Sequence, residues 1–444
     1  MQSKDVRVPS VPETAKQGAE PGDPSSWSWV EASIWTERML AALDNGVRGG
    51  KWYALMDKVC APRTLSAAWR RVASNQGAAG VDRISVERFK AKAPDYLKEI
   101  EEALRQGSYQ PAPVRRVHIP KGRSQTRPIG IPTVKDRIVQ GALKLVLEPI
   151  FEKDFLAVSY GFRPGRGCKD ALREVVRWLK AGYTWVVDAD LASYFDTIPH
   201  SPLLARVKER VSDGRVVQLV QGFLDQDIME DLQRWKPNAG TPQGAVLSPL
   251  LANLYLHSLD VKMTAAEHKL VRYADDFVVL CRSREDAEAA LAQIQAWTVQ
   301  NALRLHPDKT HLGNCREAGY GFDFLGYRFE GGHRYVRHKS LMVLRDRVRQ
   351  RTGRTRSGSV EHIIAELNPI LQGWFAYFKH ARGSTFRSID SFVRRRLRAI
   401  LRKRLKQPGF GLSHRDHLRW PIAFFAAHGL LTLHEAHVLA RQSR

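Results

Sequence analysis

Two strand-like apolar stretches meet at a pair of adjacent carboxylates in the second half of this chain. Residues 269–273 and 277–281 are rich in Val, Leu and aromatic residues, and Asp275 and Asp276 lie between them. The pattern predicts a β-hairpin that carries its acids at the tip. An isolated charge is costly beside buried strands, which favours ligands for a hard divalent cation, with Mg²⁺ the expected metal. Turns are also rich in Asp, so the pair alone leaves an ordinary surface turn open.

A second acidic strand upstream strengthens the metal interpretation. Residues 185–187 are apolar, and the chain then reaches Asp188, Asp190 and, after an aromatic pair, Asp196. Phosphoryl transfer with two metal ions needs a further carboxylate from another strand, because the ions lie about 3.5–4 Å apart. Two acidic strands in one basic chain therefore predict a two-metal phosphoryl-transfer site.

The charge balance indicates a polyanionic partner. Lys and Arg number 70 against 46 Asp and Glu, an excess of 70 − 46 = 24 in 444 residues. Nucleic acid is the commonest partner of so basic a chain. An anionic membrane is the alternative, but no apolar run approaches the ~20 residues that cross a bilayer. The four cysteines are far apart without a C-x-x-C pair, which argues against disulfides or a cysteine zinc site and fits a reducing cytoplasm.

Several short motifs accompany the acids along the chain. They are IPK at 119–121, RPIGIP at 127–132, YGFRPG at 160–165, TPQG at 241–244, YADD at 273–276, PDKT at 307–310 and FLGY at 324–327. In these motifs and their order the sequence resembles the reverse transcriptase/maturases encoded by bacterial group II introns. The resemblance covers nearly the whole chain.

The resemblance implies an α+β fold: a right-hand polymerase with fingers and a palm built on an antiparallel sheet, followed by an α-helical thumb. The expected segments are a disordered polar leader at 1–26, a helical N-terminal extension at 27–60, fingers at 61–160, a palm at 161–335, a thumb or maturase X domain at 336–406 and a tail at 407–444. The extension either packs on the next domain or contacts intron RNA, and DNA binding is one hypothesis for the tail. The tail lacks the paired cysteines of the HNH endonuclease that ends many family members, so we expect the form without it.

The resemblance also implies which side chains perform the chemistry. Asp190, Asp275 and Asp276 are expected to hold two Mg²⁺ ions, with the backbone carbonyl of Leu191 as a further ligand. Lys309 matches the lysine that protonates the leaving pyrophosphate, although its position fits a surface charge equally well.

Four residues match the family's nucleotide-binding positions. Lys121 and Arg127 resemble the cations that grip the incoming triphosphate, whose charge builds as pyrophosphate leaves. Phe195 matches the ring that blocks a ribose 2′-hydroxyl, and Gln243 matches a residue that faces the nucleotide. The implied substrates are deoxynucleoside triphosphates. From spacing alone, the cations fit a solvated strand and Gln243 an ordinary loop amide.

The most basic part of the chain lies near its C-terminal end. Residues 391–406 hold eight Lys or Arg around apolar positions of helical period, which predicts one buried helix face. Upstream, Asn368 is a candidate helix cap with Pro369 at the first helical position. We expect three helices that present arginines outward to intron RNA, among them Arg394, Arg395, Arg396 and Arg398. A solvated surface is the alternative, but charges this dense repel unless a polyanion neutralises them.

The implied function is RNA-directed DNA polymerisation, together with binding of the intron RNA to assist splicing and support of intron mobility by target-primed reverse transcription. The expected partners are intron and template RNA, a DNA primer or target DNA, and deoxynucleoside triphosphates, with no membrane partner and the oligomeric state left open. The expected location is the cytoplasm, on the nucleoid when DNA is bound. Two alternatives stay open: another bacterial lineage of retron or defence type, and an RNA-binding splicing factor whose polymerase is idle.

Overall fold

The computed structural model of the protein describes residues 27–120, 126–231 and 233–442. The predicted leader at 1–26 and Lys121 lie outside these residues. The chain divides into two compact units. The first contains the residues up to Gly182 together with Ala189–Cys281 and Glu285–Thr310, and the second contains Tyr183–Asp188, Arg282–Arg284 and the residues from His311 onward.

Both units combine helices with strands, and the α+β class expected from the sequence is confirmed. The helices are α1 Glu37–Asn45, α2 Met56–Val59, α3 Pro62–Asn75, α4 Val86–Ala91, α5 Ala93–Gln106, α6 Val134–Glu152, α7 Cys168–Lys180, α8 Tyr194–Thr197, α9 His200–Arg210, α10 Gly214–Leu224, α11 Ser248–Ala265, α12 Arg284–Gln300, α13 His338–Arg351, α14 Val360–Phe378, α15 Gly383–Arg404, α16 His414–Arg419, α17 Ile422–Ala427 and α18 Leu433–Gln442. The strands are β1 Val114–Pro120, β2 Thr126–Ile131, β3 Trp185–Asp190, β4 Ile228–Glu230, β5 Gln233–Trp235, β6 Lys269–Tyr273, β7 Asp276–Cys281, β8 His311–Asn314, β9 Phe322–Phe324, β10 Tyr327–Glu330 and β11 His333–Val336. Among the described helices, none is long and apolar enough to cross a membrane.

The first unit contains a four-stranded sheet of order β2-β1-β4-β5. Strands β1 and β2 are antiparallel, with Ile119 opposite Arg127, and β4 runs parallel to β1. Helix α6 packs against α3, where Gly141 allows close approach because a Cβ there would lie 3.2 Å from the Cβ of Ala68. In the sheet, β1 carries Arg115 and Arg116, and β2 carries Arg127.

The hairpin predicted at 269–281 is confirmed. Strands β6 and β7 are antiparallel, Tyr273 lies opposite Asp276, and Asp275 falls in the turn between them. Leu270, Val271 and the residues from Phe277 to Cys281 are buried, so consecutive side chains on both faces of the hairpin lie in the core. Strand β3 follows β7 in the sheet order, so Asp190 at the end of β3 belongs to the same sheet as the acidic turn.

The second unit combines the antiparallel strands β9, β10 and β11 with helices α13 to α18. The predicted helix start at Asn368 and Pro369 is wrong, because α14 begins earlier: the Ser359 side chain caps it by accepting from the backbone N–H of His362. The Asn368 side chain instead donates to the carbonyl of Gly429 and accepts from the N–H of Leu431. It serves a long-range contact, and Pro369 lies inside the helix.

Not all the arginines of α15 point outward, and the predicted orientation is wrong for Arg398. Its side chain is 4% exposed, and its Nε donates to the carbonyl of Trp420 over 2.9 Å. Arg396 is half-buried and donates to the Thr352 hydroxyl over 3.0 Å. These two guanidiniums satisfy backbone or hydroxyl oxygens within the unit, whereas Arg395 is exposed and Arg394 is half-buried.

Candidate active site

The acidic turn is held in an unusual backbone conformation. Ala274 has a φ of 59°, in the left-handed region that non-glycine residues rarely adopt. The turn places Asp275 between the strands and Asp276 at the first position of β7. A Cβ on Gly161 would lie 2.3 Å from the Ala274 nitrogen, so the loop at 160–165 packs directly on the turn and requires glycine at that point.

Asp190 is anchored through both its backbone and its side chain. Its carbonyl accepts from the N–H of His306 over 2.8 Å, and the neighbouring Leu191 forms a bridge with Leu305. This pairing brings the short turn Pro307–Lys309 beside the end of β3, and the Lys309 ammonium donates to the Asp190 carboxylate. The structure therefore brings together two residues that are 119 positions apart in sequence and were both predicted for the site.

Asp275 in the turn interacts electrostatically with Asp190 and with two nearby cations. Burial raises the pKa of Asp275 above its usual value, and the charge of Asp190 raises it further. The cations of Arg127 and Lys309 act in the opposite direction and lower the same pKa. Two carboxylates that oppose each other's ionisation, with cations nearby, form a site that a divalent ion would stabilise.

The donor set fits a magnesium site of the open kind. Carboxylate oxygens and a backbone carbonyl are hard ligands, and Mg²⁺ is held in proteins by one or two carboxylates with water and substrate phosphates completing the shell. Within residues 27–120, 126–231 and 233–442, no three His, Cys, Asp or Glu side chains converge tightly enough to hold a metal by themselves. A metal ion held by Asp190, Asp275 and Asp276 would therefore need further oxygen ligands from water and substrate phosphates.

Phe195 and Gln243, both predicted to face the nucleotide, are brought together by one loop. The carbonyl of Phe195 accepts from the N–H of Thr241 over 2.7 Å, and Gln243 Nε2 donates to the Asp196 carboxylate over 3.2 Å. Gly240, with a φ of 94°, makes this possible, because a Cβ there would lie 2.8 Å from the Asp196 carbonyl. The aromatic side chain and the amide consequently belong to one rigid corner of the first unit.

Asp196 is a member of this corner whose role the sequence did not predict. Burial raises its pKa, while Arg116, the Gln243 amide and Arg127 lower it. With Arg116 and Gln243 it lines a cavity of about 370 Å³. Its place directly after Phe195, in the short helix α8, was a usable signal. Arg127 on β2 is exposed, and its charge reaches both Asp196 and Asp275.

Comparison with known families supports the geometry. Residues 119–329 match the family described as reverse transcriptase (RNA-dependent DNA polymerase), and residues 341–419 match the group II intron, maturase-specific domain. The first match contains all three aspartates, Lys309, Phe195 and Gln243. The second contains the arginines of α15.

Individual proteins share these segments to different extents. Protein YkfC of Escherichia coli (strain K12) is 33% identical over 320 residues, which cover 62% of this chain and 82% of YkfC. Group II intron-encoded protein LtrA of Lactococcus lactis subsp. cremoris is 40% identical over 202 residues, which cover 45% of this chain but only 33% of LtrA. Among solved structures, a partial Cas6-RT-Cas1–Cas2 complex is 26% identical with a TM-score of 0.37, covering 55% of this chain and 42% of that one.

The two family matches follow each other along the chain without overlap. The similarity to YkfC extends over most of that relative. The chain belongs to the group II intron-encoded reverse transcriptase/maturase family, whose members are RNA-directed DNA polymerases.

Proposed function

We propose that the protein copies RNA into DNA with two Mg²⁺ ions held by Asp190, Asp275, Asp276 and the Leu191 carbonyl. One observation carries this proposal: the charges of Asp190, Arg127 and Lys309 all act on Asp275. Acids from two strands and cations from two further segments meet there, as nucleotidyl transfer requires. The ions, when bound, would activate the primer 3′-oxygen and neutralise the triphosphate.

The side chains around the acids have separate tasks in this proposal. Lys309 lies against Asp190 and is positioned to give a proton to the departing pyrophosphate. Arg127 binds the triphosphate, since a guanidinium neutralises phosphate charge and donates to two oxygens at once. Lys121 is proposed for the same task from the sequence alone. Phe195 excludes a ribose 2′-hydroxyl, and Gln243, fixed by Asp196, contacts the nucleotide.

Primer extension on an RNA template tests the proposal. The wild-type protein should extend a DNA primer with deoxynucleotides in Mg²⁺, and Asp275→Asn should abolish extension while template affinity stays the same. Asp95→Asn is the matched control, because Asp95 is an exposed acid in the first turn of α5. Extension by Asp275→Asn at the wild-type rate, or its loss in Asp95→Asn, would contradict the assignment.

The second unit is proposed to bind nucleic acid. Two adjoining cavities of about 450 and 610 Å³ share Arg382, Arg441 and His437, with Lys379 lining one and Arg387 the other. Among the described residues, no Asp or Glu lines either cavity. Such a surface attracts phosphodiesters, which supports DNA binding by a surface that the tail shares with the helices before it. Neutralising Lys379, Arg387 and Arg441 to Gln should raise the Kd for a target duplex in filter binding, and an unchanged Kd would exclude this surface as a DNA-binding element.

The remaining parts of the proposal concern the biological role. Intron RNA bound by the second unit and the N-terminal extension would be held in a form that splices, and reverse transcription at a nicked target would support mobility. The same proposal includes the boundaries of the fingers, palm and thumb given above. It also includes a cytoplasmic location, on the nucleoid when DNA is bound.

A further inference from the structure

Arg272, the residue two positions before Ala274, is completely buried in the hairpin. Its side chain is 0% exposed, and so is that of its ion-pair partner Asp260 on α11. The pairing is bidentate: Nε donates to Oδ1 of Asp260 over 2.7 Å and Nη2 to Oδ2 over 2.5 Å. A third nitrogen, Nη1, donates to the Asn253 side chain over 2.9 Å and to the Ala274 carbonyl over 3.0 Å.

A buried ion pair of this kind is a poor means of stabilising a fold. Removing two charges from water costs several kcal/mol per ion, and well-packed apolar residues in the same place are often neutral or more stabilising by about 1–4 kcal/mol. The strand around Arg272 is otherwise apolar and could hold such residues. The remaining hydrogen bonds of Arg272 indicate what the buried pair contributes.

The first of these bonds reaches the acidic turn itself. Ala274 has the left-handed backbone that turns the chain into Asp275, and its carbonyl is held by Arg272 Nη1. Left-handed alanine is strained by about 1–2 kcal/mol, so the turn persists only if its surroundings fix it. The guanidinium fixes the carbonyl that directly precedes the first predicted metal ligand of the turn.

The second bond reaches the loop that lies on the turn. Asn253, which accepts from Arg272, donates with its own Nδ2 to the carbonyl of Gly161 over 2.7 Å. The next residue, Phe162, has a φ of 59° and is 47% exposed, and its ring stands edge-on to Phe195 with the centroids 6.5 Å apart. One guanidinium thus connects α11, the acidic turn and the loop facing the nucleotide-selecting ring.

We propose that Arg272 is a positioning residue for polymerisation: it fixes the acidic turn and couples it, through Asn253, to the loop that carries Phe162. The inference rests on the proposed function, because it assigns the purpose of the turn to metal binding by Asp275. It predicts that loss of Arg272 impairs the chemical step much more than it impairs folding or template binding.

The decisive variant removes both charges together, so that no unpaired ion is left in the interior. Arg272→Met with Asp260→Leu should keep the fold, because an apolar replacement of similar volume offsets the lost pair. We expect kcat for primer extension to fall roughly 10- to 100-fold, because displacements of about 1 Å at reacting groups cause losses of this size. The half-saturating Mg²⁺ concentration should rise, while Kd for primer–template changes less than about twofold, since template contacts are untouched.

A matched control uses another bidentate pair of the first unit, Arg210 with Asp154, at 2.6 and 2.9 Å. This pair is largely exposed and bonds no part of the acidic turn. Arg210→Gln with Asp154→Asn should leave kcat and the Mg²⁺ requirement unchanged. Hydrogen exchange provides a readout without metal or substrate: the peptide at 273–277 should exchange faster in the Arg272 double variant and at the wild-type rate in the control.

Arg272→Lys keeps the result interpretable if the double variant fails to fold. Lysine retains the charge opposite Asp260 but cannot donate in the plane to three partners at once, so it should show the same fall in kcat at a nearly wild-type Tm. Wild-type kcat and exchange in a folded Arg272 variant would overturn the inference while leaving the proposed function intact. Failure of the proposed function is distinguishable, because the wild-type protein would then extend no primer or Asp275→Asn would still extend it.

Discussion

The arginines of α15 allow a sharp test, because the structure divides them into two classes that the sequence cannot tell apart. Arg395 is exposed and Arg394 is half-buried, whereas Arg398 is buried and donates to the Trp420 carbonyl. If α15 binds intron RNA, Arg394 and Arg395 can contribute phosphate contacts and Arg398 cannot. The perturbation is therefore Arg394→Gln with Arg395→Gln, and the matched control is Arg398→Gln, which removes an arginine from the same helix.

The expected magnitude follows from counting contacts. Each phosphate contact contributes about 0.7 to 0.9 to the slope of log K against log salt concentration, so two lost contacts lower the slope by up to roughly 2 × 0.7 to 2 × 0.9, or about 1.4–1.8. Arg398→Gln should leave the slope unchanged. It should instead cost about 1–3 kcal/mol of unfolding free energy, because the buried Trp420 carbonyl loses its donor.

Filter binding to intron RNA across a salt series, with thermal unfolding of each variant, measures both quantities. The result that would refute the argument is a slope that falls as much in Arg398→Gln as in the Arg394 and Arg395 double variant. An unchanged slope in the double variant would remove α15 from the RNA interface.

The remaining predictions concern the acids and the aromatic ring. Because its pKa is raised on folding, Asp275 binds its proton more tightly in the folded state, so stability falls as pH rises from the unfolded to the folded pKa. In EDTA, the Tm of Asp275→Asn should therefore exceed that of wild type at pH 7. A Tm difference that fails to shrink as the pH falls toward about 4 would contradict this. Phe195→Ala should raise kcat/KM for ribonucleotides relative to deoxynucleotides, whereas an unchanged ratio would make the ring a packing residue beside Tyr194. Asp275→Ala with Asp276→Ala should still promote splicing of a precursor RNA, and lost splicing would deny that binding alone suffices.

The features predicted best from the sequence are those governed by local periodicity. The hairpin at 269–281 could be predicted because its strands are buried on both sides and read as continuous apolar runs. The apolar positions of α15 at Val393, Leu397 and Ile400 are buried as their helical spacing requires. In these elements the local pattern and the tertiary environment favour the same structure.

The failures occur where a distant segment changes the role of a residue. Arg398 borders the apolar face of α15, and the segment from residue 413 onward covers it and supplies the Trp420 carbonyl as acceptor. Asn368 is a good helix cap by local rules, but its partners lie some 60 residues later. Its side-chain amide donates to the carbonyl of Gly429 and accepts from the N–H of Leu431. A local sequence pattern contains no information about such distant partners. The burial of Arg398 and the start of α14 therefore could not be predicted from one sequence.

Part of the backbone strain in this protein lies in the elements that carry the proposed chemistry. Ala274 precedes Asp275, Ser193 begins the short helix that carries Phe195, and Phe162 faces that ring; all three have a positive φ although none is glycine. Each such residue costs on the order of 1–3 kcal/mol and persists only where surrounding contacts over-determine it. Around Ala274 those contacts are the guanidinium of Arg272 and the close approach of Gly161. Strained residues therefore lie beside Asp275 and near Phe195, where the direction of a side chain matters for the proposed chemistry. Around Ala274, the buried hydrogen bonds of Arg272 hold the strained turn in place.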